Sequence, residues 1–239
     1  MILQILIRAK PETIEMLQSM LAPDNPGAFA QEELGAWVAF DIPGPEAITR
    51  VVDELRDSVD LAAGAMSLWA NCRDRPRVTN LYYQDPKTAK QKGMLFNTYS
   101  VVAPLTPESI VEPRSGSLPH GAAVLGMAQQ DAAVARALSA SASGATEWWE
   151  LYILFEILRD ALAKRENRKS GSWEALFELL SVRYGEPVKR LRDLKQTINY
   201  HRHFHSELPA RPWEHIEAAQ FIQTAVRDWI DGLLAPEAH

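Results

Sequence analysis

Histidines are concentrated in one short stretch of this chain. Four of its six histidines fall between His201 and His215, and three of them alternate as His201, His203 and His205 around Arg202. Imidazole titrates near neutral pH and can act as a general acid or base, whereas a guanidinium can stabilise the negative charge of a phosphoryl transition state. Several imidazoles can also share a zinc ion. The types of residue therefore predict a site for acid–base chemistry, anion recognition or metal binding.

Helical geometry separates these residues. Pro187 is a favourable first residue for a helix, whose apolar stripe continues through Arg202 and His205. Asn199 and His203 lie one turn apart on one flank of that stripe, and His201 lies on the other border. The members of the stripe are Val188, Leu191, Leu194 and Ile198.

The stripe leaves two possibilities for Arg202. Either the helix ends near Tyr200, or the Arg202 guanidinium points towards the core. A buried guanidinium needs a carboxylate partner, because an unpaired buried charge is very costly. Glu156 is the first candidate, followed by Glu150 and Glu178.

Three interpretations of the cluster stay open. In the first, the histidines cap helix carbonyls and Arg202 forms a fixed ion pair, since cationic groups favour helix C-termini. In the second, His201, His203 and His205 bind a metal, which requires an extended chain because a helix brings together only His201 and His205. The third is recognition or cleavage of RNA by Arg202 with His203 or His205, with Asn199 and His201 as further binding residues.

The run Asn199, Arg202, His203 late in a helical region resembles an Asn-x-x-Arg-His run found in relatives of the HEPN superfamily. The segment from Leu151 to Arg159 is similar to the first bundle helix of uncharacterised bacterial proteins of this kind. The resemblance covers residues 146–239. It implies a helical bundle, a metal-independent ribonuclease or toxin-like defence component, and a homodimer that brings two motifs together.

The sequence departs from the usual HEPN motif, which is an arginine followed further along the same helix by a histidine. Here Arg202 is followed directly by His203 and, after one more residue, by His205. Arg192 precedes His201 by a longer interval than the motif has. Arg202 and His205 share one helix face, so the resemblance remains possible on geometry alone.

The elements that would position the cluster belong to an α+β chain with two parts. Residues 1–104 alternate short apolar runs with helical patterns and predict a small mixed domain. Residues 105–145 form a Pro-, Ala- and Ser-rich connector with one helix, at Gly121–Leu138. Residues 146–239 carry four helical patterns joined by short breaks, which predicts an antiparallel bundle.

Two segments of the first part carry specific expectations. Leu61–Trp69 is a short apolar run that favours a strand, because Gly64 weakens a helix. Strands at Val78–Gln84 and Met94–Val102 enclose a polar loop with Lys87, Lys90 and Lys92. Those lysines could contact a phosphate backbone, although surface lysines are also ordinary features of a solvated loop.

The composition of the chain argues against several kinds of site. The net charge of −6 argues against a broad nucleic-acid-coating surface, while a local basic site stays possible. The single cysteine, Cys72, excludes an intramolecular disulfide and a cysteine-cluster metal site. With no apolar run of membrane-spanning length and no secretory signal, we expect a cytoplasmic protein. The sequence has no Gly-rich phosphate loop, serine nucleophile elbow or helical His-Glu-x-x-His motif, and we expect no cofactor.

The expected function is that of an interaction protein with a HEPN-like bundle, whose partner is a protein or RNA. The alternative is the ribonuclease described above.

Overall fold

A computed structural model describes residues 1–22, 24, 28–33, 35–70, 72, 74–84, 91–95, 120–142, 147–165, 172–203 and 207–235. The chain divides into two compact units, Met1–Gly126 and Met127–His239. Their boundary falls inside the stretch that the sequence assigns to the connector. The predicted α+β class is confirmed, since the first unit contains an antiparallel sheet and most of the helices follow it.

The first unit is built on a five-stranded sheet with the order β2-β3-β1-β4-β5, and all neighbouring strands are antiparallel. Two helices join its strands in the sequence β-α-β-β-α-β before the final strand. The elements are β1 (Ile2–Arg8), α1 (Pro11–Leu21), β2 (Phe29–Glu32), β3 (Gly35–Asp41), α2 (Ile48–Ala70), β4 (Arg77–Gln84) and β5 (Gln91–Leu95).

The core of this unit lies between one face of the sheet and the two helices, which also pack on each other. Leu3, Ile5 and Ile7 of β1 are fully buried, whereas Gln4 and Arg8 are exposed and Leu6 between them is 7% exposed. Successive side chains of a strand point to opposite faces, so the alternation identifies one face as the helix-covered one. The opposite face carries the even-numbered residues of β1.

Three expectations for the first unit are corrected. Leu61–Trp69 is the second half of α2 and not a strand, because residues 62–68 are buried together and a helix enclosed on all sides loses its polar stripe. Strand β2 was missed, since only Phe29 of its residues is buried. Strand β5 spans Gln91–Leu95, so Lys92 lies in a strand and not in a loop; Lys87 and Lys90 lie outside the described residues.

The second unit consists of helices. They are α4 (Ala132–Ser141), α5 (Trp148–Arg165), α6 (Trp173–Tyr184), α7 (Val188–His203) and α8 (His215–Leu234), preceded by α3 (Gly121–Gln130) at the boundary of the units. Helix α5 contacts α4, α6, α7 and α8, in keeping with its apolar sequence. The single helix predicted at Gly121–Leu138 is divided at Asp131, whose side chain accepts a hydrogen bond from the Ala133 N–H and begins α4.

Helix α6 is capped at both ends by residues typical of those positions. Ser172 is its N-cap, and Gly185 follows it with a φ of 74°, a left-handed conformation that glycine adopts without a steric penalty. Among the helices of the described chain, none has the length and apolar character needed to cross a membrane.

Candidate interaction site at the end of the helical bundle

His201, Arg202 and His215 lie at one end of the second unit, where the last turn of α7 meets the first turns of α5 and α8. The apolar stripe of α7 is fully buried at Leu191, Leu194 and Ile198. Beyond Ile198 the helix continues to His203, while Arg202 and His203 are exposed. The guanidinium therefore does not enter the core, because the buried part of the bundle ends one turn earlier than α7. The helix, expected to end near Tyr200, extends three residues further to His203.

Arg202 rests on an aromatic ring. Its guanidinium carbon lies 3.9 Å from the centroid of the Tyr152 ring, close enough for a cation–π interaction. The Tyr152 hydroxyl donates a hydrogen bond of 2.9 Å to Oε1 of Glu156. Burial and this carboxylate raise the pKa of the Tyr152 hydroxyl, and the Arg202 cation acts in the opposite direction. Tyr152 thus connects Arg202 to the residue predicted as its partner.

Glu156 forms its ion pair with a different arginine. Its Oε1 lies 3.7 Å from a terminal nitrogen of Arg159, one turn further along α5. No carboxylate of the described residues lies within ion-pair distance of Arg202. Glu150, the second candidate, is 5% exposed and accepts a 3.1 Å hydrogen bond from the Glu147 N–H. Glu150 consequently caps the N-terminus of α5 in the manner of a capping box.

A series of neighbouring cations and aromatic rings, with one carboxylate among them, connects α5 with α6 and α7. We call it the cation–aromatic ladder, and its residues are Arg202, Tyr152, Glu156, Arg159, Trp173 and Lys195. The Arg159 guanidinium lies 4.7 Å from the Trp173 ring centroid, and the Lys195 ammonium lies 4.6 Å from it. Burial and the nearby Arg159 charge lower the pKa of the Lys195 ammonium. Each cation of the ladder thus lies on a ring, and Arg159 in addition forms ion pairs with Glu156 and, at 2.7 Å, with Asp160.

The imidazoles at this end of the bundle are held by Trp148. The His201 ring stacks on the indole with centroids 4.5 Å apart and planes inclined by 2°. His215, at the start of α8, meets the same indole edge-on at 4.8 Å. Offset stacking and edge contacts are the favourable arrangements of aromatic pairs. Trp148 is not among the site residues that the sequence offers, yet it joins α5, α7 and α8.

The metal interpretation finds no support in this geometry. His201 is engaged with Trp148, His203 is exposed, and His205 lies outside the described residues. Within the described ranges no group of three His, Cys, Asp or Glu side chains is placed to hold a metal ion. Asn199 is half-buried on the flank of α7, as its spacing predicts.

Trp213 fixes the chain between α7 and α8 and was not anticipated. It is 4% exposed, its indole N–H donates to the Arg190 carbonyl at 2.9 Å, and its backbone N–H donates to the Thr197 hydroxyl at 3.2 Å. The Arg190 guanidinium lies 4.3 Å from the ring centroid and binds both carboxylate oxygens of Glu217 at 2.9 Å. The available signal was a tryptophan after Pro212 and immediately before a helix.

Exposed apolar side chains accompany the cations at this end. Trp149, in the first turn of α5, is 54% exposed, and Ile216, in the first turn of α8, is 53% exposed. These two residues, with Arg202 and His203, are exposed residues of the helix turns at this end, and we call the four the bundle-end surface. Aromatic residues and arginine are enriched at protein interfaces, where a ring supplies contact area and a guanidinium supplies directed hydrogen bonds.

No protein-family model, curated protein or solved structure matches the chain.

Proposed function

We propose that the second unit is an interaction module that binds an acidic, apolar segment of a partner protein at the bundle-end surface. The position of Arg202 carries the proposal. Its side chain is exposed and rests on the Tyr152 ring, and no described carboxylate takes its five N–H donors. A guanidinium held in this way is oriented in advance for a bidentate carboxylate, which lowers the entropy lost on binding.

The neighbouring residues favour a protein over RNA as the partner. Trp149 and Ile216 add exposed apolar area that a peptide side chain can cover. The chain is acidic overall, with a net charge of −6, which disfavours long-range attraction of a polyanion to this surface. A HEPN-like origin of the bundle, a homodimer and RNA cleavage by Arg202 with His203 or His205 stay predictions.

The test is a panel of synthetic peptides of equal length that differ in net charge and apolar content, measured by calorimetry. We expect acidic peptides with leucine or phenylalanine to bind. Arg202→Ala should weaken that binding roughly 10- to 100-fold, since a hydrogen-bonded charge contributes about 1.5–3 kcal/mol. Arg202→Lys should restore it only in part, because an ammonium lacks the planar fork.

Arg227→Ala is the matched control. Arg227 is a half-exposed arginine of the same unit, in the second half of α8, and its ion pair is the neighbouring Asp228. If Arg227→Ala weakened peptide binding as much as Arg202→Ala does, the loss of affinity would reflect net charge alone. That result would contradict the proposal. Cleavage of labelled RNA by the purified chain, lost in a folded Arg202→Ala variant, would replace the proposal by the ribonuclease alternative. Sedimentation of the chain alone shows whether a second copy is the partner.

A further inference from the structure

The sheet of the first unit has a second face, which carries its own set of polar and aromatic side chains. Helices α1 and α2 lie against the face that contains Leu3, Ile5 and Ile7. The opposite face, which we call the outer face, contains the even-numbered residues of β1 and the residues paired with them in β3 and β4. Gln4, Arg8 and Ala39 on this face are exposed.

Strand register arranges the outer face in rows across β3, β1 and β4. Adjacent rows are two residues apart on β3 and β1, which is about 6.7 Å along a strand. On β4 the register shifts between the partners of Leu6 and Ile7, so the residues of the first two rows, Arg77 and Asn80, are three residues apart. The rows are Gly35–Arg8–Arg77, Trp37–Leu6–Asn80 and Ala39–Gln4–Tyr82. Along the strands, the row with the two arginines is followed by the row with Trp37 and then by the row with Tyr82. The three rows together span a length comparable to two or three nucleotides of a single strand.

Trp37 and Tyr82 form a continuous aromatic surface across β1. Their ring centroids are 5.4 Å apart, their planes are inclined by 51°, and both residues are half-buried. The Trp37 indole N–H donates to the Glu32 carboxylate, which fixes the ring on the sheet. Tyr82 lies over Gly93 of β5, where an added Cβ would come within 2.6 Å of the Tyr82 ring. A glycine at this position lets the phenol ring lie against the sheet.

Arg8 and Arg77 face each other in the first row. Like charges directly opposite one another on adjacent strands are destabilising. Among the residues that the structure describes, neither guanidinium has an ion-pair partner. Glu32 of β2 lies in the same row, beside Gly35, and its carboxylate accepts the hydrogen bond of the Trp37 indole. In a chain with a net charge of −6, two adjacent arginines without an ion pair to a described acid form a local site for an anion.

We propose that the outer face binds single-stranded nucleic acid. Unpaired bases stack on Trp37 and Tyr82, Arg8 and Arg77 bind backbone phosphates, and the Gln4 and Asn80 amides reach base edges. Sheets with exposed aromatic rings recognise single strands in this way, because every base has a face that can stack, while the cations supply the salt-dependent part of the affinity. A duplex hides its base faces and is not expected to fit. The site lies in the first unit and does not depend on the proposed function of the bundle.

The test measures fluorescence anisotropy of labelled single-stranded RNA and DNA of one mixed sequence, with the matching duplex, at several salt concentrations. We expect both single strands, or RNA alone if the 2′-hydroxyl is read, to bind more tightly than the duplex. Trp37→Ala and Tyr82→Ala should each weaken binding about 5- to 100-fold, as expected for the loss of one base stack. Trp37→Phe should retain most of the affinity, because a ring remains.

Two further variants separate stacking from charge. Gly93→Val keeps the Tyr82 ring but displaces it, and should weaken binding as Tyr82→Ala does. The double variant Arg8→Gln, Arg77→Gln should lower the slope of log Kd against log salt by roughly 1.4, or 0.7 per phosphate contact on a single strand. The control Arg50→Gln removes an exposed arginine from α2, which covers the other face of the sheet, and should leave the slope unchanged.

Circular dichroism confirms that each variant is folded. Equal binding of duplex and single strands, an effect of Arg50→Gln equal to that of the outer-face arginines, or no binding of any oligonucleotide at low salt would overturn the proposal. Loss of binding in Arg202→Ala with full binding in Trp37→Ala would also overturn it, since the nucleic acid would then be held by the bundle.

Discussion

Replacing Trp213 with alanine tests the contacts that hold the start of α8 beside α7. The side chain is 4% exposed, and its removal takes away apolar burial, the ring under Arg190 and the donor to the Arg190 carbonyl. Truncation of a buried tryptophan costs about 3–5 kcal/mol. We expect the upper part of that range, because the carbonyl is also left without its donor, which by itself costs about 1–3 kcal/mol.

The measurement is urea unfolding followed by circular dichroism, with hydrogen exchange resolving the amides of α7 and α8 from those of the first unit. Trp213→Phe keeps a ring for Arg190 and most of the burial, so it should cost about 1–2 kcal/mol, chiefly from the lost indole N–H. Trp149→Ala is the control, as an exposed tryptophan of the same unit should change stability by less than about 0.5 kcal/mol. A Trp213→Ala variant within about 1 kcal/mol of the parent chain would refute the assigned role.

Two other predictions concern the hydrogen bonds of one side chain each. The Tyr184 hydroxyl donates to Asp228 at 3.0 Å, and burial followed by this bond raises the pKa of Tyr184 from 10.0 to about 12. Folding therefore favours the protonated phenol, so the stability that this hydroxyl contributes is complete below pH 10 and is lost as pH rises towards 12. In Tyr184→Phe the urea midpoint should vary less with pH over that range. A variant with the same pH dependence as the parent chain would contradict the assignment. Asp74 accepts hydrogen bonds from the Lys10 N–H at 2.7 Å and the Thr13 hydroxyl at 2.8 Å, at the start of α1. Asp74→Ala should therefore lower the free energy of unfolding by about 1–2 kcal/mol. An unchanged urea midpoint would show that these two bonds do not stabilise the start of α1.

Local patterns predicted the elements of the second unit well. The apolar sequence of α5, the cap at Ser172 and the stop at Gly185 each follow from a rule that needs only neighbouring residues. Leu61–Trp69 shows the limit of such rules. A segment buried on every side has no amphipathic period, so helix and strand fit it equally well until its tertiary surroundings are known.

The candidate sites could not be predicted from the spacing of residues in the sequence, because they depend on tertiary structure. The helical wheel placed Arg202 on the apolar stripe correctly, but it could not show that the core ends before α7 does. The sequence also predicted Glu156 as a neighbour of Arg202. In the structure the Tyr152 side chain contacts both residues, and the prediction had not considered an aromatic ring as a partner for the guanidinium. The outer face escaped notice altogether, because Arg8, Trp37 and Tyr82 are distant in sequence and meet only through strand register.

Cys72 gives the chain a chemical reporter that belongs to one unit. It is the only thiol, it is 6% exposed, and its sulfur lies 3.6 Å from the Thr13 hydroxyl, between the end of α2 and the start of α1. A chromophoric thiol reagent reaches it only after this part of the first unit opens, and the second unit contributes no background reaction. The rate of labelling, compared with that of the unfolded chain, therefore gives the free energy of that opening separately from any event in the bundle.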